Sequence, residues 1–261
     1  MSNGITQLFS DRPNEMRTIR DVYVNEELNG YEIPYVIYLP VNYDETKSYP
    51  VILYLHGAGE RGRDNEAQVA TNIIDQLYQT RFQLMNEVIF LAPQCPDNEQ
   101  WVNWPWVNGN YVLDEIPESR ALSTVKKLLD KILSSYAADE NRVYILGVSM
   151  GGFGTWDMLA RHSSTFAAGI PLCGGGSPSS AGVLKDIPIW CVHGTADPGV
   201  PYEGTEEMYY SILSVGGDHI IFDSMEGYGH NVWDYASTSG ERIDWLFAQT
   251  LAMREEQKSN L

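Results

Sequence analysis

Along the chain, stretches of apolar residues with strand character alternate with stretches of helical period. Arg17 to Val24 alternates residue by residue, and Tyr31 to Leu39 runs into Pro40 ahead of the turn formers Asn42, Tyr43 and Asp44. This pair predicts an antiparallel opening of a sheet. Pro50 to Leu55 is a continuous apolar strand that enters His56-Gly57-Ala58-Gly59, and Val69, Ile73 and Leu77, four apart, predict a helix after it. The unit then recurs. Val88 to Ala92 reads as a strand, and Leu122, Val125, Leu128, Leu129, Ile132 and Leu133 as one helical stripe after Pro117. Val143 to Leu146, Phe166 to Leu172, Ile187 to Val192 and His219 to Phe222 are further strands. Helices are expected from about Gly151 to Arg161, around Met208, Ile212 and Leu213, and over Ile243, Leu246, Phe247 and Leu251. Strands alternating with helices imply a mostly parallel sheet covered on both faces. In such sheets ligands bind beyond the carboxyl ends of the strands, so the chemistry is expected in the turns that follow them.

With 261 residues and no linker, repeat or low-complexity tract, one α/β domain is expected over residues 1–261, residues 1–16 forming an irregular N-terminal segment. Hydrophobic residues at 43% and charged residues at 20% are those of a folded globular chain. A formal net charge of -18 repels phosphate backbones and anionic lipid surfaces, which argues against nucleic acid or a membrane as partner. Cys95, Cys173 and Cys191 are widely spaced without a C-x-x-C pair, so buried free thiols are expected rather than disulfides or a zinc site. No basic segment followed by an apolar run opens the chain. As written it is expected in the cytoplasm, or outside the cell if a leader has been removed. Nothing in the sequence sets the oligomeric state.

The most specific local pattern is Gly147-Val148-Ser149-Met150-Gly151, which follows a strand and precedes a helical stretch. That is the setting of a nucleophile elbow: small flanking residues let the chain turn sharply and raise the serine hydroxyl at a helix N-terminus. A serine hydroxyl needs a base, and the base needs a partner that fixes its tautomer. In this setting the order along the chain is serine, acid, histidine. Of the five histidines, His230 fits best, in the polar loop Glu226-Gly-Tyr-Gly-His-Asn231 after the last strand. His219 begins a strand and His162 ends a helix. Asp197, in His193-Gly-Thr-Ala-Asp197-Pro-Gly-Val-Pro201, follows a strand and precedes His230; Asp223 is its competitor. An oxyanion hole is expected from the N–H groups of Met150 and Ala58. His56 and His193 are expected to be structural.

The whole chain resembles the α/β-hydrolases, with a mostly parallel central sheet, helices on both faces and no large lid. Leu55-His-Gly-Ala-Gly-Glu-Arg-Gly-Arg-Asp-Asn65 is similar to esterases of the phospholipase/carboxylesterase and dienelactone hydrolase groups, and to bacterial carbohydrate esterases acting on acetyl or feruloyl groups of xylan. The resemblance covers about residues 17 to 250. It implies a serine carboxylesterase with Ser149 as nucleophile, His230 as base and Asp197 as orienting acid, needing no metal or organic cofactor. Its substrate would be a small ester or an acylated polysaccharide. Two other readings stay open: a serine peptidase of prolyl-oligopeptidase type, and a non-catalytic binding protein on the same scaffold.

Three tryptophans lie within six residues in the loop after the Val88 to Ala92 strand, and Trp101, Trp104, Trp106 and the later Trp233 are candidates to line the substrate pocket. Glu60, Arg61, Arg63 and Asp64 either contact substrate or brace the loop through ion pairs, bracing being the expectation. Only Cys173 to Asp186 separate two successive strands, too short a stretch for a helical lid, which predicts an open site.

Overall fold

The computed structural model describes residues 17–71, 87–233 and 240–259. Its eight strands are β1 (Arg17–Asn25), β2 (Tyr31–Leu39), β3 (Tyr49–Leu55), β4 (Ile89–Pro93), β5 (Ala138–Val148), β6 (Ala168–Leu172), β7 (Ile189–Gly194) and β8 (Ile220–Met225). They form one sheet in the order β1-β2-β4-β3-β5-β6-β7-β8. β1 pairs antiparallel with β2, and β2 antiparallel with β4; every other neighbouring pair is parallel. The antiparallel opening and the parallel centre are those expected.

The described helices are α1 (Arg120–Ser135), α2 (Met150–Arg161), α3 (Ala181–Leu184), α4 (Glu203–Ser214), α5 (Gly240–Phe247) and α6 (Leu251–Ser259). The helix expected over Val69, Ile73 and Leu77 falls mostly outside the described residues, which show a short 3-10 turn at Ala67–Val69. Several boundaries differ from the sequence reading. β5 begins at Ala138 rather than Val143, because Asp139 to Arg142 extends as strand with its polar side chains only partly covered. The C-terminal helix breaks at Ala248 to Thr250 into α5 and α6. Between β6 and β7 the chain adds only the 3-10 turn Pro178–Ser180 and the four residues of α3, so no lid arises there, as expected.

Parallel central strands are buried on both faces, which is why they read as continuous apolar runs. Along β3, Val51, Leu53 and Leu55 join one core while Ile52 and Tyr54 join the other; along β5, Val143 and Ile145 oppose Tyr144, Leu146 and Val148. Helix α1 buries Ala121, Leu122, Val125, Leu128, Leu129 and Ile132 on one side of the sheet, and Ile243 and Leu246 of α5 pack on the other. Each such large aliphatic side chain contributes about 1.5–3 kcal/mol of transfer free energy.

The N-terminus of α1 ties this scaffold to the tryptophan loop. Ser119 Oγ accepts the Leu122 N–H at 3.0 Å, capping the helix, and donates to the Trp101 carbonyl at 2.6 Å. Ser119 is buried. Ser119→Ala removes both bonds and leaves the Trp101 carbonyl without its partner; the expected loss is about 1–2 kcal/mol of stability, read from urea unfolding.

Candidate active site

Loops at the carboxyl ends of the parallel strands converge on one cleft. The β3 loop brings residues 56–60, the β5 turn brings Ser149, the β7 loop brings residues 195–201, and the β8 loop brings His230 and Trp233. The cleft has a volume of about 400 Å³, and its lining includes Ala58, Glu60, Trp106, Ser149, His230 and Trp233.

Ser149 sits between β5 and α2 with φ 55° and ψ -118°, a region a side-chain-bearing residue avoids, at about 1–3 kcal/mol. The flanking glycines make this possible. A Cβ on Gly147 would strike the Gly151 carbonyl, and one on Gly151 would strike the Leu55 carbonyl. The strained turn is pinned by the Ser149 N–H to the Leu172 carbonyl, 2.9 Å.

Ser149, His230 and Asp197 lie in one hydrogen-bonded line. Ser149 Oγ is 2.8 Å from His230 Nε2, and His230 Nδ1 is 2.6 Å from Asp197 Oδ2. A carboxylate only accepts, so Nδ1 carries the imidazole proton and Nε2 faces the hydroxyl as acceptor. The other oxygen of Asp197 accepts the N–H groups of Gly199 (2.8 Å) and Val200 (3.0 Å). Burial works to raise the Asp197 pKa, but hydrogen bonds from His193, His230 and these two N–H groups outweigh it and hold the carboxyl far below the usual carboxylate range. Asp223 instead accepts from Trp190 Nε1 at 3.0 Å and Arg242 Nε at 3.1 Å.

The acid and histidine loops are stitched together. Ala196 N–H donates to the Tyr228 carbonyl at 2.9 Å, and Thr195 N–H to the Met225 carbonyl at 3.0 Å. Gly194 is required here, because a Cβ would collide with the carbonyls of Tyr228 and Gly229. Two contacts escape sequence reasoning. His193, fully buried, points Nε2 at Asp197 Oδ2 (3.1 Å) and the Val200 carbonyl (3.3 Å), with Nδ1 at Thr205 Oγ1 (2.8 Å). Cys173 adopts φ 41° and its Sγ reaches the His230 carbonyl at 3.3 Å. The histidine beginning H-G-T-A-D was the available signal for the first contact; nothing local signals the second.

Ala58 opens a 3-10 turn and Met150 opens α2, so both N–H groups lie at the starts of turns beside Ser149. His56 supports this loop: its Nε2 accepts the Cys95 N–H at 2.9 Å, so Nδ1 donates to the Gly57 carbonyl at 2.6 Å. Burial lowers the His56 pKa to about 4, leaving the ring neutral near pH 7.

The four tryptophans separate. Trp106 and Trp233 are partly exposed in the cleft, and Trp233 packs edge-on against His230, ring centroids 5.2 Å apart. Trp101 corrects the expectation of a pocket residue: it is 0% exposed, held in the core by its Nε1 bond to the His56 carbonyl at 3.0 Å. Trp104 lies outside this cleft as well, in a neighbouring groove with Tyr111 and Ile116, its Nε1 donating to the Gly109 carbonyl. The bracing charges act chiefly through backbone bonds rather than ion pairs. Arg61 Nε donates to the Ala58 carbonyl at 2.9 Å, and Asp64 Oδ1 accepts from the N–H groups of Glu66 and Ala67 and from Gln94. Arg63 lies 3.6 Å from Glu32 at the surface, and Glu60 faces the cleft.

Among the described residues, Cys173, Asp197 and His230 bring ligand-type atoms within 4.8 Å of one another. Burial pushes the Cys173 thiol strongly up, and all three side chains are committed to the hydrogen bonds above, a poor donor set for a metal. No helix among the described residues is long and apolar enough to cross a membrane.

A family model described as Phospholipase/Carboxylesterase matches residues 38–237. The chain belongs to that family. Its fold is the α/β-hydrolase fold, as a thermostable esterase shows by superposing with a TM-score of 0.81 at 36% identity, over 89% of this chain and 63% of the other. The feruloyl esterase module from Clostridium thermocellum, solved with sinapinate, superposes with a TM-score of 0.63 over 88% of this chain and 89% of the module; at 16% identity it shows the fold alone. A probable feruloyl esterase C from Aspergillus terreus is 28% identical over 192 residues, 74% of this chain. The phospholipase/carboxylesterase family member described here spans 64% of that relative's length.

The depressed Asp197 pKa has a consequence for stability. A carboxylate whose folded pKa lies below its unfolded value of about 3.9 stabilises the fold above that value, and the contribution is lost as pH falls through the folded pKa. Asp197→Asn is therefore expected to lower stability by about 1–3 kcal/mol at pH 7. The gap from wild type should narrow as urea unfolding is repeated from pH 5 down to pH 3.

Proposed function

We propose that this protein is a serine carboxylesterase that removes small or aromatic acyl groups from plant cell-wall polysaccharide, with Ser149 as nucleophile, His230 as general base and Asp197 as its orienting acid. The observation that carries the reading is the hydrogen-bonded line from Ser149 Oγ, on a strained elbow in an open cleft, through His230 to Asp197. Feruloyl esterase C relatives support the ester chemistry, and a relative named as a bifunctional acetylxylan esterase/xylanase, 29% identical over 92 residues, supports the polysaccharide. Trp106 and Trp233 offer aromatic faces suited to a sugar ring or a cinnamoyl group.

The reaction follows from the geometry. His230 Nε2 takes the Ser149 proton as Oγ bonds to the ester carbonyl carbon, and the carbonyl oxygen becomes an oxyanion held by the N–H groups of Ala58 and Met150. The C–O bond to the alcohol breaks, the leaving oxygen takes the proton from His230, and an acyl group remains on Ser149. Water then gives a proton to His230 and its oxygen to the acyl carbon. A second oxyanion collapses, Ser149 regains its proton, and the carboxylic acid leaves. Asp197 keeps Nδ1 protonated and stabilises the imidazolium in both halves.

Wild type is expected to release acetate from both acetylated xylan and a soluble aryl acetate, and Ser149→Ala from neither, with kcat lower by about 10⁴ or more and folding unchanged. Hydrolysis of peptide amides but not esters by the wild type would overturn the assignment in favour of a peptidase. Hydrolysis of the aryl ester alone would keep the three residues' roles and remove the polysaccharide.

A further inference from the structure

Glu60 stands apart from the other charged side chains of its loop. It ends the 3-10 turn Ala58–Glu60 that starts at the proposed oxyanion donor, and it lines the same cleft as Ser149, Trp106 and Trp233. Its side chain folds back over Gly57, where a Cβ would lie 3.1 Å from Glu60 Oε2. The carboxylate lies in the wall of the cleft rather than out in solvent, with its side chain 29% exposed.

No cation neutralises it among the described residues. The one ion-pair partner in range is His56 Nδ1 at 3.9 Å, and His56 is uncharged near neutral pH. Arg61 turns away to the carbonyls of Ala58 and Glu99. Burial raises the Glu60 carboxyl above its ordinary pKa, as befits a half-buried carboxylate with no charged partner beside it. A half-buried, acceptor-only carboxylate in one cleft with two partly exposed indole rings is the chemistry that takes a sugar. Ring C–H faces pack on the aromatics, and a hydroxyl donates to the carboxylate.

We infer that Glu60 sets the substrate class of this cleft, accepting a hydroxyl from the neutral carbohydrate part of the ester and turning away esters that carry an anionic group beside the scissile bond. The inference rests on the esterase reading of the site. It also gives the charge a part after the reaction, since the acid product leaves as an anion from a site that repels it.

The test uses the full chain at pH 8, well above the ordinary carboxylate range, with Glu60→Gln and Glu60→Ala. Three substrates are compared: a neutral aryl acetate, the aryl monoester of glutaric acid, which carries a free carboxylate, and an acetylated xylo-oligosaccharide. Glu60→Gln keeps shape and an acceptor while removing charge. It should raise kcat/KM for the glutarate ester relative to the acetate by about tenfold at low salt, with a smaller change at 0.5 M salt. Glu60→Ala should lower kcat/KM for the oligosaccharide relative to the aryl acetate by about tenfold, mostly through KM, and Glu60→Gln less so. Substrate ratios that stay at their wild-type values in both variants, with all rates falling in proportion, would overturn the inference and leave Glu60 a brace of the loop. Failure of the esterase reading looks different: wild type itself would then leave the aryl acetate uncut.

Discussion

Asp197 accepts hydrogen bonds from four donors, the His230 and His193 rings and the N–H groups of Gly199 and Val200, and the position of everything else in the site follows from this convergence. A buried carboxylate without such donors would take up a proton, and a protonated acid would no longer fix the His230 tautomer. The donors come from the β7 strand end, its following loop and the β8 loop, so the charge also clamps these segments together. Thr205 Oγ1 on α4 lies 2.8 Å from both His193 Nδ1 and the Gly174 carbonyl, two acceptors that share its one proton, and extends the clamp to the segment after β6.

The second constraint is close backbone approach. The β5 turn, the β3 loop and the β6 end meet through glycines whose hydrogens leave no room for a methyl group: Gly147 and Gly151 at the elbow, Gly152 against Gly174. This tightness holds Ser149 in a backbone conformation it would otherwise leave. It also fixes the Ser149 to His230 distance of 2.8 Å, which is the preorganisation the proposed acyl transfer would require. Cys173, with its own left-handed backbone at the end of β6, reaches the His230 carbonyl and supports the histidine from behind.

The tryptophan loop shows how one sequence cluster serves several ends. Trp101 braces the loop after β3 from within the core through the His56 carbonyl, while Trp106 turns to the cleft and lies under the Arg61 guanidinium at 5.8 Å. A short local sequence spacing therefore separates a structural indole from a cleft-lining one. The cleft remains accessible because the β6 to β7 connection carries nothing larger than α3.

The order of strands and helices was legible because both faces of a parallel sheet are dry, so its central strands appear as unbroken apolar runs that no exposed segment imitates. The serine turn was legible because its glycines mark steric limits that act within five residues. The histidine and acid followed from chain order and from their places after strands. What the sequence left open are the contacts between segments far apart in the chain: the polar start of β5, the burial of Trp101, the His193 and Cys173 supports, and the aim of Glu60 into the cleft rather than into the bracing network beside it. Local pattern determines which face of an element is apolar and where the backbone must turn. Which polar atoms meet is decided only when the sheet has formed, because hydrogen-bond partners a hundred residues apart are chosen by the packing that brings their strand ends together.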